Sequence, residues 1–143
     1  MEKILISACL VGDNVKYNGG NNLSNKIAAL LKKYELVPFC PEVEGGLSIP
    51  RSPSERVGNK VMNREGEDVT DAFYRGAELA YNICLYLKIK TAILKERSPS
   101  CGSKTIYDGT FSHREISGMG VTAAYLKEKG IVVLNEEEID SLL

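Results

Sequence analysis

The sequence contains no apolar run of the length that a membrane-spanning helix needs, which is about 18 or more residues. No apolar signal-peptide segment follows the charged start of the chain. Basic residues are not in excess, since 18 Lys and Arg face 19 Asp and Glu, whereas binding to nucleic-acid phosphates favours a basic excess. We therefore expect a cytoplasmic protein without a membrane partner, for which tRNA is an allowed but not a favoured substrate.

Cysteine pairs of the Cys-x-x-Cys type are also absent, and the chain has only four cysteines. In a reducing compartment a soluble domain has little use for disulfide bonds. Its cysteines are better explained as metal ligands, catalytic thiols or small buried side chains.

Apolar runs alternate with helical periodicities along the chain, which is typical of an α/β fold with a parallel sheet. The predicted strands are residues 4–8, 36–39, 92–94 and 131–134. The predicted helices are residues 23–34, 70–88 and 121–129, with a short helix at the end of the chain. The 143 residues suffice for one hydrophobic core. We expect one Rossmann-like domain over residues 1–143, with about four parallel strands and helices on both faces. The sequence does not indicate an oligomeric state.

Two long stretches, residues 41–69 and 95–118, fit neither a strand nor a helix. Both begin where a predicted strand ends, and long loops within compact domains are usually functional. Small hairpins are predicted inside them, over residues 61–69 and 105–111.

Cys9 and Cys40 lie just beyond a predicted strand, and Cys101 follows a third strand after a six-residue turn. Because the carboxyl ends of parallel strands share one edge of a sheet, where α/β folds bind ligands, these thiols are expected to converge. Three soft ligands without a fourth suggest an open metal site, which we favour over three unrelated free thiols. Cys84 falls on the apolar face of a predicted helix and is interpreted as a buried side chain.

Candidate catalytic groups accompany these cysteines. Glu42 and Glu44 follow Cys40, and a carboxylate in a partly dry site would have a raised pKa suited to a general acid or base; either could instead be solvated. Ser98 and Ser100 precede the third cysteine, where their hydroxyls could orient a substrate or form an ordinary turn.

Other charged groups are interpreted as structural. Arg51 and Arg56 are expected to pair with Glu55 inside their loop rather than to reach a phosphate. His113 and Glu115 match only one half of a zinc deaminase signature, so we expect His113 to be a surface residue.

Three sequence blocks carry a family resemblance. They are Ser7-Ala8-Cys9-Leu10-Val11-Gly12 with Tyr17-Asn18-Gly19-Gly20, Cys40-Pro41-Glu42-Val43 with Gly45-Gly46-Leu47 and Pro50-Arg51, and Ser98-Pro99-Ser100-Cys101-Gly102 with Tyr107-Asp108-Gly109-Thr110-Phe111. In this order, and over nearly the whole chain, they resemble the thiouracil desulfidases, a family formerly known only as a domain of unknown function.

The resemblance implies a [4Fe-4S] cluster held by three cysteines, which correspond here to Cys9, Cys40 and Cys101. One iron would stay free to bind substrate sulfur. The implied substrate is a small thiolated pyrimidine of the 2-thiouracil, 4-thiouracil or thiouridine type, and the implied reaction is a hydrolytic, non-redox C–S cleavage that releases hydrosulfide. The implied catalytic residues are Glu42 and Ser98, with Glu44 and Ser100 as substitutes that the blocks do not separate from them.

Two alternatives stay open from the sequence. One is a non-catalytic iron–sulfur or sulfur carrier that delivers its cargo to a partner protein. The other is a zinc hydrolase with three thiolate ligands and a bound water.

Overall fold

The computed structural model describes residues 1–143, and its centre is a four-stranded parallel sheet. The strands of the chain are β1 (Glu2–Ser7), β2 (Tyr34–Phe39), β3 (Ser54–Val57), β4 (Lys60–Asn63), β5 (Thr91–Leu94), β6 (Thr105–Tyr107), β7 (Glu115–Ser117) and β8 (Val132–Asn135). The α-helices are α1 (Ile27–Leu31), α2 (Pro41–Glu44), α3 (Thr70–Leu87) and α4 (Val121–Glu128), and two 3₁₀ helices span Ala8–Val11 and Glu136–Leu142. The central sheet has the order β2-β1-β5-β8, which confirms the predicted Rossmann-like architecture.

Helices cover both faces of the central sheet, as expected. Because side chains alternate along a strand, Leu5 and Leu94 pack with α3 and α4 on one face. Ile6 and Ile93 pack on the other face with α1 and the terminal 3₁₀ helix. No helix is both long and apolar enough to span a membrane.

The first helix is much shorter than predicted. The spacing of apolar residues favoured a helix over residues 23–34, but α1 begins only at Ile27. Side-chain acceptors hold the preceding segment in turns, since Asn21 accepts from the Leu23 N–H and Ser24 accepts from the Lys26 N–H. Leu23 is consequently exposed, so part of the periodic pattern does not mark a buried face.

Both predicted hairpins differ from those in the structure. The turn at Gly66 exists, with the Val69 N–H donating to the Val61 carbonyl, but the regular partner of β4 is β3. In the second loop, β6 pairs with β7 through a connection over residues 108–114, so the chain does not return directly after the Asp-Gly pair. The partner strands, β3 and β7, are short and mostly polar, so no alternation of apolar residues marks them in the sequence.

The later elements agree with the sequence. Helix α3 buries Phe73, Ala77, Ala80 and Cys84 along one stripe. Helix α4 is followed by Gly130 with a φ of 91°, a conformation that glycine adopts without strain at a helix end.

Candidate active site

Three chain segments meet at the carboxyl edge of the central sheet. The last residues of β1 and β2, Ser7 and Phe39, are register partners. Cys9 therefore enters the 3₁₀ helix after β1 beside Cys40, which caps α2 after β2. Cys101 arrives from the loop that follows β5, the other neighbour of β1. All three cysteines line one cavity of about 350 Å³, so the structure brings the three predicted thiols together.

Burial shapes the electrostatics of these thiols. Desolvation raises the pKa of Cys9 and of Cys40. A hydrogen bond from Asn22 partly offsets the rise in the pKa of Cys9, and one from the Val43 backbone partly offsets that of Cys40. Desolvation also raises the pKa of Cys101 to about 12, although a hydrogen bond from Ser7 opposes it. The thiols by themselves are thus poor anions, and a bound cationic centre would supply the charge that stabilises thiolates.

The donor set of three thiols suits an iron–sulfur cluster. Three thiols on the wall of a shared cavity match the thiolate ligation of iron–sulfur clusters. Cys84 belongs to the buried stripe of α3 and does not line the cavity, and burial raises its pKa to about 11.

Of the two candidate carboxylates, only Glu42 lines the cavity. It lies in the first turn of α2, and its Oε1 accepts a hydrogen bond from Arg51 Nε at 3.2 Å. Burial raises the pKa of Glu42, and the Arg51 guanidinium partly offsets this effect. Glu44 is exposed and is not among the residues lining the cavity, because it ends α2 on the side that faces solvent.

The expected ion pairs within the loop were wrong. Arg51 pairs with Glu42, and Arg56 donates to the carbonyls of Gly58 and Met119. Glu55 instead accepts from the backbone N–H groups of residues 109 and 111. The charged side chains of this loop therefore bond to segments that are distant in the sequence.

The two candidate serines also separate. Ser98 lines the cavity, and its Oγ accepts from the N–H groups of Ser100 at 3.1 Å and Cys101 at 2.9 Å. Its single O–H is therefore free to donate elsewhere. Ser100 is fully buried, and its hydroxyl pairs with Thr122 Oγ1 at 2.8 Å, away from the cavity.

Several cavity residues were not identified from the sequence. Lys95 is the residue directly after β5, so its strand-end position was a usable signal. Tyr17 and Tyr107 belong to the family blocks but were given no role there, and Asn22 lies outside the blocks and carried no signal. His113 is exposed, as expected, yet it also lines the cavity, with its ring edge-on to Tyr107 at 6.1 Å.

Comparison with known proteins agrees with this geometry. The profile of the 2-thiouracil desulfurase family matches residues 4–138. The uncharacterized protein YbbK of Bacillus subtilis (strain 168) is 42% identical in an alignment that covers 98% of this chain and 99% of that protein. The solved structure of a [4Fe-4S]-dependent thiouracil desulfidase, TudS, is 47% identical with a TM-score of 0.94, over 99% of this chain and 95% of that chain. The resemblance carried by the three cysteine blocks is thereby confirmed, and the chain belongs to the 2-thiouracil desulfurase family.

Proposed function

We propose that this protein is a [4Fe-4S]-dependent desulfidase that replaces the sulfur of a thiolated pyrimidine by oxygen without net electron transfer. The observation that carries the proposal is the meeting of Cys9, Cys40 and Cys101 with Glu42 and Ser98 on one cavity. The family match and the likeness to a [4Fe-4S]-dependent thiouracil desulfidase support the same reaction.

Cys9, Cys40 and Cys101 would hold the cluster, since these three line the cavity and Cys84 does not. When bound through three thiolates, a [4Fe-4S] cluster keeps one iron without a protein ligand, which supplies a soft Lewis acid for the sulfur of a thiocarbonyl. A reducing, cytoplasmic setting belongs to the proposal because it keeps the three ligands available as thiols.

Glu42 is proposed as the group that takes a proton from the attacking water. Exchange of sulfur for oxygen at a ring carbon consumes one water and releases hydrosulfide and one proton, so a base must hold that proton near the carbon. Arg51 Nε fixes the carboxylate, and Arg51 is itself held through Nη2 by the Val15 carbonyl at 2.9 Å. This arrangement limits the positions that the carboxylate can adopt.

Ser98 is proposed as a hydrogen-bond donor to the substrate. Two backbone N–H groups donate to its oxygen, and these bonds orient the hydroxyl and stabilise negative charge on the oxygen. A donor polarised in this way can support charge that develops on the pyrimidine during water addition.

A free base or nucleoside is the proposed substrate form. The cavity, about 350 Å³, is at the small end of ligand sites, which span roughly 300–1,000 Å³. Tyr17 and Tyr107 on its wall offer apolar ring surfaces for a pyrimidine.

Anaerobic reconstitution with iron and sulfide tests the proposal. We expect the wild type to bind a cluster and to release hydrosulfide from 2-thiouracil over many turnovers. Cys9→Ala, Cys40→Ala and Cys101→Ala should lose both properties, and Cys84→Ala is the matched control that should keep them. Release that stops at about one equivalent would favour a sulfur carrier, and activity with zinc but without iron would favour a zinc hydrolase.

A further inference from the structure

Glu96 is a buried carboxylate at the cavity to which the proposed reaction assigns no role. It is only 4% exposed. Its Oε1 accepts from four backbone N–H groups, those of Arg97 (3.3 Å), Ser103 (2.8 Å), Lys104 (3.2 Å) and Thr105 (3.3 Å). Its Oε2 accepts from Asn135 Nδ2 at 2.7 Å. A carboxylate with this many donors is a fixed anchor rather than a mobile proton carrier.

The donors of Glu96 enclose the turn that carries two site residues. One donor precedes the turn and three follow it, so the carboxylate fastens both ends of residues 98–101. Within the turn, the Gly102 N–H donates to the Ser98 carbonyl at 2.9 Å, and the Cys101 N–H donates to Ser98 Oγ. The positions of Cys101 and Ser98 are therefore coupled to each other and to Glu96.

Helix α4 holds the other side of the same turn. Its first N–H groups, from Val121 and Thr122, donate to the carbonyls of Pro99 and Ser100 at 2.9 and 2.8 Å. The turn is thus fixed between the start of a helix and one buried anion. Only the anion can be altered by a side-chain substitution without changing the turn itself.

We propose that Glu96 is a positioning residue whose carboxylate holds the 98–101 turn so that Cys101 and Ser98 face the cavity together. This inference rests on the proposed function, since it takes Cys101 as a cluster ligand and Ser98 as a substrate donor. Glutamine has nearly the same shape as glutamate but carries no charge and offers one acceptor oxygen instead of two. With that oxygen at the Oε1 position, its NH₂ group would face the Asn135 amide donor. Glu96→Gln is therefore the informative variant.

The first measurement uses the full chain without a cluster. The alkylation rates of Cys101 and Cys84 are followed by peptide mass spectrometry, because both thiols are buried, at 5% and 1% exposure. We expect Glu96→Gln to raise the Cys101 rate relative to the Cys84 rate by about tenfold or more, since the hydrogen bonds that Glu96 accepts on both sides of the turn lose their charge assistance. Glu115→Gln removes a charge that pairs with the half-exposed Arg97 side chain and makes no bond to Glu96, and it should leave the ratio unchanged.

The same variants are then loaded with a cluster. Glu96→Gln should lose its cluster faster than the wild type and show a kcat per bound cluster lowered by about tenfold or more, whereas Glu115→Gln should match the wild type in both. An unchanged Cys101 to Cys84 ratio, or an equal rise at both cysteines, overturns the positioning role. Failure of the wild type to bind a cluster overturns the proposed function instead, and the alkylation ratio still decides the role of Glu96.

Discussion

Ser98 and Ser100 flank the same proline, yet their surroundings predict opposite results on substitution. Ser98→Ala should abolish most activity, while Ser100→Ala should keep activity and lower stability. Ser98 lines the cavity, whereas Ser100 is fully buried against Thr122. The pair therefore tests whether the cavity geometry identifies the working hydroxyl, a choice that the sequence left open.

The stability loss in Ser100→Ala follows from one hydrogen bond. Removing the Ser100 hydroxyl leaves the Thr122 Oγ1, at 2.8 Å in the intact pair, without this buried partner. An unsatisfied buried polar group costs about 1–3 kcal/mol, and a chain of this size shifts its Tm by roughly 2–4 °C per kcal/mol. Adding Thr122→Val to Ser100→Ala should restore most of the loss, because both polar groups are then gone.

The activity loss in Ser98→Ala follows from the free O–H of Ser98. Loss of one preorganised donor to developing charge lowers kcat by about 10²–10³-fold. Ser98→Thr keeps the hydroxyl and should retain more activity than Ser98→Ala. The assay is hydrosulfide release per bound cluster, measured beside thermal unfolding. Near-normal kcat in Ser98→Ala, or a larger loss of kcat in Ser100→Ala, would refute the reasoning.

Three further outcomes follow from the same geometry. Glu42→Gln should bind a cluster but lose about 10²–10⁴ in kcat, the usual contribution of a positioned base, while Glu44→Gln, altered at an exposed site outside the cavity, should stay at the wild-type rate. The pKa of Glu96 is raised by burial but lowered further by its backbone donors, so it lies below the ordinary value of 4.5. The ionised Glu96 carboxylate stabilises the fold fully at a pH above its ordinary pKa, and this stabilisation is lost as the pH falls through the lower folded-state pKa. The urea midpoint should therefore fall less on acidification in Glu96→Gln than in the wild type. Gly76→Ala would place a Cβ 2.0 Å from the Pro41 carbonyl oxygen, and thermal unfolding should show a loss of about 1–3 kcal/mol or more because α3 and α2 must separate.

The central sheet and the convergence of the cysteines could be predicted because both depend on local apolar patterns. Continuous apolar runs mark β1, β2 and β5, and a cysteine directly after such a run, as Cys9 and Cys40 are, lies at the carboxyl edge of the sheet. Cys101 follows β5 only after a six-residue turn, so its return to that edge also depends on the loop. The spacing of apolar residues also predicts the buried stripe of α3, which distinguishes Cys84 from the other three cysteines.

The remaining features depend on groups that a side-chain pattern does not show. The start of α1 is decided by local hydrogen bonds to Asn21 and Ser24, not by apolar spacing. Glu96 is anchored by backbone N–H groups, which every non-proline residue carries, so nothing in the sequence marks its donors. The pairing of Arg51 with Glu42 joins two segments whose approach requires the tertiary fold.

The placement of the proposed catalytic groups explains why ligand binding and turnover must be measured together. Glu42 follows Cys40 by two residues and Ser98 precedes Cys101 by three, so each reacting side chain shares a short backbone segment with a sulfur. A substitution that moves either segment displaces a ligand and a catalytic group at once, and small displacements are costly to catalysis. Measuring kcat per bound cluster separates the loss of a proton acceptor from the displacement of a cysteine ligand. Variants such as Glu42→Gln keep the backbone in place, so they can show that cluster binding and catalysis depend on different side chains.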